Sequence, residues 1–162
     1  MSSKKVILTG SFGVGKTSLF NQFIFSRFSD RYLTTIGVKV NKKVVNINGR
    51  EVPLLIWDIA GEVAQDKVPN TYFLGASGII YVFDLTRPLT YKNIKEDLEY
   101  LQDLLPGVLV KVVGNKKDLV DENEIIKVRE DCILPIDIIT SAKTGENVEA
   151  LFNNLAGELI EQ

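Results

Sequence analysis

The apolar residues of this chain fall into blocks of two kinds, and the blocks take turns. Lys5-Val6-Ile7-Leu8-Thr9, Gly78 to Asp84 and Val108 to Gly114 are short, nearly continuous apolar runs. Runs of that length, set between polar or glycine-bearing segments, predict parallel strands buried on both faces. Other blocks repeat at helical spacing. Leu19, Phe20, Phe23 and Ile24 predict a helix within 18–28, and Tyr91, Ile94, Leu98, Leu101 and Leu105 mark one face of another, with Thr90 as its N-cap. A short helix is expected over Glu122 to Asp131, and the last carries Val148, Leu151, Phe152, Leu155, Leu159 and Ile160 on one stripe.

Two further runs, Val38-Lys39-Val40 with Val44 to Ile47 and then Val52 to Asp58, flank Asn48-Gly49. Asn-Gly between two β-rich runs predicts a hairpin, with Pro53 near the start of its second strand, where a missing N–H is tolerated. Ile136 to Ile139 supplies the last strand; Ser26 to Gly37 reads as a polar loop, and Ile59 to Ser77 is irregular with weak helical spacing from Gln65 to Leu74. Strands alternating with helices after one hairpin predict an α/β fold over residues 1–162 as a single domain. Its six-stranded sheet is expected to be mostly parallel, with one antiparallel edge hairpin and helices on both faces.

The polar segment with the clearest chemistry joins the first strand to the first helix. Gly10-Ser11-Phe12-Gly13-Val14-Gly15-Lys16-Thr17 reads G-x-x-x-x-G-K-[ST], the phosphate-binding P-loop. Its glycines let the backbone turn tightly and bring several N–H groups onto one anion. Lys16 adds a point charge for the outer phosphates, Thr17 offers a hydroxyl to Mg²⁺, and the helix start that includes Ser18 presents its positive dipole end. The pattern arises by chance on the order of a few times per thousand chains of this length, and the strand-loop-helix context lowers that further.

Composition removes competing chemistries. Lys plus Arg is 19 against 21 Asp plus Glu, a net charge of −2, which gives no general attraction to nucleic acid or anionic membrane. The chain has no histidine, so a His base, a His metal ligand and a Ser-His-Asp triad are all excluded. Cys132 is the only cysteine, so a reducing, cytoplasmic setting is expected. Met1 to Lys5 lacks the apolar core of a signal peptide, no apolar run is long enough to span a bilayer, and Leu159-Ile160-Glu161-Gln162 offers no cysteine to prenylate. No lipid anchor is expected in this chain.

The remaining polar motifs each follow a predicted strand, where open parallel sheets bind ligands. Asp58-Ile59-Ala60-Gly61 follows one, Asn115-Lys116-Lys117-Asp118 another, and Ser141-Ala142-Lys143 the last. With the P-loop and Thr35-Ile36-Gly37, these resemble the five nucleotide-site motifs of the Ras superfamily of small GTPases, in order and over essentially the whole chain. Tyr72-Phe73-Leu74-Gly75-Ala76 is similar to a segment common in the Rab-like branch.

The resemblance implies a Ras-like G domain, a P-loop NTPase that binds GTP and GDP with Mg²⁺. Asp118 would accept both guanine donors, the ring N1–H and the exocyclic amine, a pair adenine lacks. Asn115 would brace its loop, the Lys116 and Lys143 stems would lie over the base, and the Ala142 N–H beside Ser141 would meet the guanine oxygen. Phe28 matches the family aromatic that packs on the base, and Tyr32 is a further nucleotide contact on this basis.

Thr17 and Thr35 are the implied direct Mg²⁺ ligands, with Asp58 reaching the ion through water. Thr34 is less well placed, because the family sets its threonine directly before Ile-Gly. Lys16, Thr35, the Gly61 N–H and residue 62 form the implied catalytic set. Two loops tied to one γ-phosphate form an order–disorder switch, so protein effectors and regulators (an exchange factor, an activating protein) are expected at 31–37 and 61–74 on a monomer, with no nucleic-acid partner.

Two positions depart from the family. Phe12 stands where relatives carry small or polar residues; it either crowds the space an arginine finger uses or packs on the loop exterior. Glu62 replaces the glutamine that orients the attacking water. A carboxylate accepts from water but cannot donate to phosphate, and it adds negative charge there. Slow hydrolysis is therefore expected, with two alternatives: a nucleotide-loaded scaffold that barely turns over, and the Ras-like domain of a larger Roco-type protein.

Overall fold

The computed structural model describes residues 2–29, 37–59 and 69–162. The strands are β1 (Lys4–Gly10), β2 (Val38–Ile47), β3 (Arg50–Ile59), β4 (Gly78–Asp84), β5 (Leu109–Asn115) and β6 (Ile138–Ile139); the helices are α1 (Lys16–Phe25), α2 (Ile94–Leu104), α3 (Glu122–Asp131) and α4 (Val148–Glu161). Among the described residues the six strands form one sheet in the order β2-β3-β1-β4-β5-β6. Every pairing is parallel except β2 with β3. The expected α/β architecture is present.

Alternation along the central strands explains how both faces bury. Val6 and Leu8 of β1 with Ile80 and Val82 of β4 face α1 and α4, packing on Leu19, Phe23, Leu151 and Leu155. Phe23 and Phe152 stack there with ring centroids 3.8 Å apart. Ile7, Ile79, Tyr81 and Phe83 point the other way, onto Ile94 and Leu101 of α2 and Ile125 and Val128 of α3. Period-two side chains on a sheet covered on both sides leave no polar face, hence the unbroken apolar runs.

The hairpin closes at Asn48 and Gly49, with φ of 53° and 83°. Two successive positive φ values are what a type I′ turn needs, and Asn46 Oδ1 also accepts the Gly49 N–H at 2.9 Å. β2 runs unbroken through Asn41-Lys42-Lys43 because it is the edge strand, where lysines are at home. Pairing of β1 with β3 begins at Leu54, one residue past Pro53.

Four expectations shift. The first helix ends at Phe25, because Ser26 turns left-handed (φ 53°) and caps it through its N–H to the Gln22 carbonyl. Thr90 does not cap α2, which starts after Asn93; Thr90 lies in a 3-10 turn over Pro88–Thr90. Its hydroxyl is drawn to the buried end of β4, accepting the Asp84 N–H at 2.9 Å and donating to the Arg87 carbonyl at 2.7 Å. The last strand pairs only over Ile138–Ile139, since the Asp137 carboxylate takes the Val112 N–H at 2.7 Å in place of a strand carbonyl. A 3-10 turn at Asn70–Tyr72 is the described helical part of the segment predicted from Gln65 to Leu74. α3 matches its prediction, held by an Asp121–Glu124 capping box.

Candidate functional site

β1 lies between β3 and β4, so the chain leaves β1 between crossovers going opposite ways and opens a crevice at the carboxyl strand ends. The P-loop fills it. Gly10 runs so close to β4 that a Cβ there would lie 2.1 Å from the Val82 carbonyl oxygen. Gly15, at φ 102°, opens α1, and a Cβ on it would strike Asn115 Nδ2 at 2.3 Å. Lys16 is 7% exposed and curls back over the loop, its Nζ donating to the carbonyls of Gly10 and Ser11, both at 2.9 Å. Thr17 Oγ1 donates to Asp58 Oδ2 at 2.6 Å across the β1–β3 boundary.

Asp58 is fully buried. Burial pushes its carboxyl above the usual range, against the opposing pull of the Thr17 hydrogen bond and the Lys16 and Lys39 charges. Its second oxygen, Oδ1, has no hydrogen-bond partner. A buried carboxylate oxygen with nothing to bind, beside a threonine hydroxyl, is the oxygen donor set that suits Mg²⁺, and an ion there would lower the carboxyl pKa again. Among the described residues no cluster of three or more His, Cys, Asp or Glu side chains could hold a metal ion.

The second half of the site is built from the ends of β5 and β6. Asn115 is 1% exposed; its Nδ2 donates to the Val14 carbonyl at 3.1 Å, and its Oδ1 accepts from Thr140 Oγ1 at 3.0 Å and from the Ala142 N–H at 3.2 Å. Lys116, left-handed at φ 73°, donates from Nζ to the Gly13 carbonyl at 2.9 Å and pairs with Asp84 Oδ2 at 2.9 Å. Asp118 Oδ1 accepts from Ser141 Oγ at 2.7 Å, and that hydroxyl in turn accepts the Thr144 N–H. The Asp118 carboxylate, held by Ser141, and the Ala142 N–H, donated to Asn115, thus lie where two strands end.

The sequence profile of the Ras family matches residues 5–161. Ras-related protein Rab-4B of Rattus norvegicus is 37% identical over 163 residues, covering 96% of this chain and 76% of its own length; Rab-4B of Homo sapiens gives the same figures. Ras-related protein Rab-13 of Mesocricetus auratus is 33% identical, covering 96% of this chain and 79% of its own. The chain belongs to the Ras family. Within it, this is a Rab-like small GTPase.

For this Ras-family chain, Gly13, Val14, Gly15, Lys16, Thr17 and Ser18 form one loop and helix start; Asp58, Asn115 and Lys116 bond to it directly and Ala142 through Asn115, while Asp118 and Ser141 bond to each other. Lys143 follows, exposed at the rim, and Phe28 lies 37% exposed beyond the end of α1. Tyr32, Thr35, Gly61 and Glu62 lie outside the described residues, as do most of 31–37 and 61–68. Phe12 is 46% exposed. Among the described residues no helix is long and apolar enough to cross a membrane.

Asp84, Arg87 and Thr90 carry no site role in the sequence motifs, yet they stand at the site. Asp84 is fully buried at the end of β4, where its Oδ1 accepts from the Thr86 N–H at 2.8 Å and its Oδ2 faces Lys116. The available signal was a carboxylate closing an otherwise apolar buried strand, which demands a charged partner nearby.

Proposed function

We propose that this Ras-family switch GTPase holds the phosphates of GTP or GDP on Gly13 to Ser18 and reads guanine with Asp118 and the Ala142 N–H. The observation that carries the proposal is the Asn115 side chain, which joins the Val14 carbonyl of the phosphate loop to Thr140 and Ala142 of the base loop. One side chain therefore ties the phosphate loop to the loop that follows the last strand. Asp118 matches two adjacent donors, so guanine is favoured over adenine by the penalty for leaving buried polar groups unpaired.

Thr17, the unpartnered Oδ1 of Asp58 and, by family resemblance, Thr35 would hold Mg²⁺, with Asp58 acting through water. When bound, the ion would neutralise charge on the phosphates and on the leaving oxygen. Lys16 and the Gly61 N–H are assigned to the γ-phosphate and Glu62 to the water-facing position, so hydrolysis is slow. Effectors and regulators would read residues 31–37 and 61–74, which follow the γ-phosphate. We assign the protein as a cytoplasmic monomer; its single buried cysteine suits a reducing compartment. Glu62 favours the second reading, a nucleotide-loaded scaffold that scarcely turns over.

The test is mass spectrometry of the nucleotide that co-purifies, followed by a single-turnover time course. GDP or GTP with measurable slow hydrolysis is expected. An adenine nucleotide, or equal affinity for ATP and GTP, would overturn the assignment, and bound GTP that persists without loss would favour the scaffold.

A further inference from the structure

Three successive carbonyls on the outer side of the phosphate loop are each held by a different long-range side chain. Arg87 Nη1 donates to Phe12 at 3.1 Å, Lys116 Nζ to Gly13 at 2.9 Å and Asn115 Nδ2 to Val14 at 3.1 Å. No described peptide bond is cis. In a planar trans peptide the C=O of one residue and the N–H of the next point in opposite directions. Fixing the carbonyls of 12, 13 and 14 on one side therefore turns the N–H groups of Gly13, Val14 and Gly15 to the other. Successive N–H groups aimed at one point make an anion-binding nest, and its geometry is set from outside the loop.

Arg87 is built for this task. Its own backbone is pinned: its N–H donates to the Asp84 carbonyl at 3.0 Å, and its carbonyl accepts from Thr90 Oγ1 at 2.7 Å. Asp84 Oδ2 lies 3.9 Å from Arg87 Nη1 and steers the guanidinium without holding it tightly. The same Nη1 lies 3.2 Å from where a Gly13 Cβ would be, so the head group rests against the loop itself. Asp84 thus serves two cations, Lys116 and Arg87, that brace neighbouring peptides of one loop.

We propose that Arg87 is a positioning residue for the nucleotide's phosphates: by holding the Phe12 carbonyl it fixes the Gly13 N–H toward them. This rests on the assignment of the loop as the phosphate site. Among the described residues the bonds of its side chain go to Phe12 and Asp84, not to Asp118, Thr17 or Asp58, and that separation makes it testable.

Release of a fluorescent GDP analogue and competition by guanosine, which has no phosphate, would be measured at fixed Mg²⁺ for the unmodified chain, Arg87→Ala and Arg87→Lys. Because the side chain is 48% exposed, the effect is that of a partly screened charged hydrogen bond: about fivefold faster GDP release in Arg87→Ala. Arg87→Lys keeps one donor and the charge, so release should return to within about twofold of the unmodified rate. Guanosine affinity should change by less than about twofold in both variants, since nothing in the base loop is removed. Unchanged GDP release in Arg87→Ala, or an equal loss for GDP and guanosine, would overturn the proposal while leaving the phosphate-loop assignment intact. Failure of the unmodified chain to bind GDP would overturn both.

Discussion

Removing the Asn115 side chain tests whether phosphate and base readers form one unit. Asn115→Ala deletes one donor and one doubly used acceptor, opening bonds to Val14, Thr140 and Ala142, all in residues at most 3% exposed. Three net hydrogen bonds at about 1 kcal/mol each give about 3 kcal/mol of stability lost. Groups left buried and unpaired would raise that, and water entering the space would lower it, so the range is about 2–4 kcal/mol. Thr140→Val removes only one of the three bonds and should cost about 1 kcal/mol. Since Asn115→Ala has already broken that bond, the double variant should fall short of additivity by about 1 kcal/mol. Urea unfolding of the four proteins without added nucleotide reads these differences, and GDP release from Asn115→Ala should be at least about tenfold faster, the equivalent of about 1.4 kcal/mol. An Asn115→Ala loss below about 0.5 kcal/mol, or strict additivity with Thr140→Val, would refute the reasoning.

Asp118→Asn should weaken guanine nucleotide binding by about 2–4 kcal/mol and shift preference toward xanthine, which has an acceptor where guanine has its amine; competition titrations with GDP and XDP check both. EDTA should speed GDP release, and Thr17→Ala should blunt that response, because it removes the hydroxyl that contacts Asp58 at 2.6 Å; an EDTA-independent release rate would overturn the metal assignment. Intrinsic single-turnover hydrolysis should be no faster than the roughly 3–5 × 10⁻⁴ s⁻¹ typical of Ras, with Glu62→Gln raising it and Glu62→Ala changing it little. A faster rate that collapses in Glu62→Ala would make Glu62 a working catalytic residue.

Much of this fold can be read from the chain because its strongest signals are one-dimensional. β1 and β4 are buried on both faces, so each is an unbroken apolar word, and α3 carries its own start in Asp121 and Glu124. What escaped depends on contacts far apart in sequence. α1 stops at Phe25 because Ser26 adopts a left-handed backbone, which Ser does not advertise. Thr90 looks like an N-cap by type and position, yet the Asp84 N–H captures its hydroxyl first. Asp137 reads as one residue of a strand, and its carboxylate instead replaces a ladder partner.

The site divides along the same line, and the reason is chemical. Residues assigned to meet the ligand must satisfy it directly, which narrows each position to few types: a glycine where Asn115 or Val82 presses in, a lysine for phosphate, a carboxylate for two guanine donors. Such positions leave motifs. A brace on the loop's outer carbonyls needs only a donor at the right place, and here an arginine, a lysine and an asparagine do the same work on adjacent peptides. Asn115 and Lys116 fall within the motif at 115–118 that also carries the base reader, whereas Arg87, which braces only the phosphate loop, belongs to no motif. Arg87 lies 75 residues from the carbonyl it holds, and only the pairing of β4 with β1, Val82 against Gly10, brings the two together. The Arg87 brace is thus written in topology, while the residues that meet the ligand, and the two braces that share their motif, are written in residue identity.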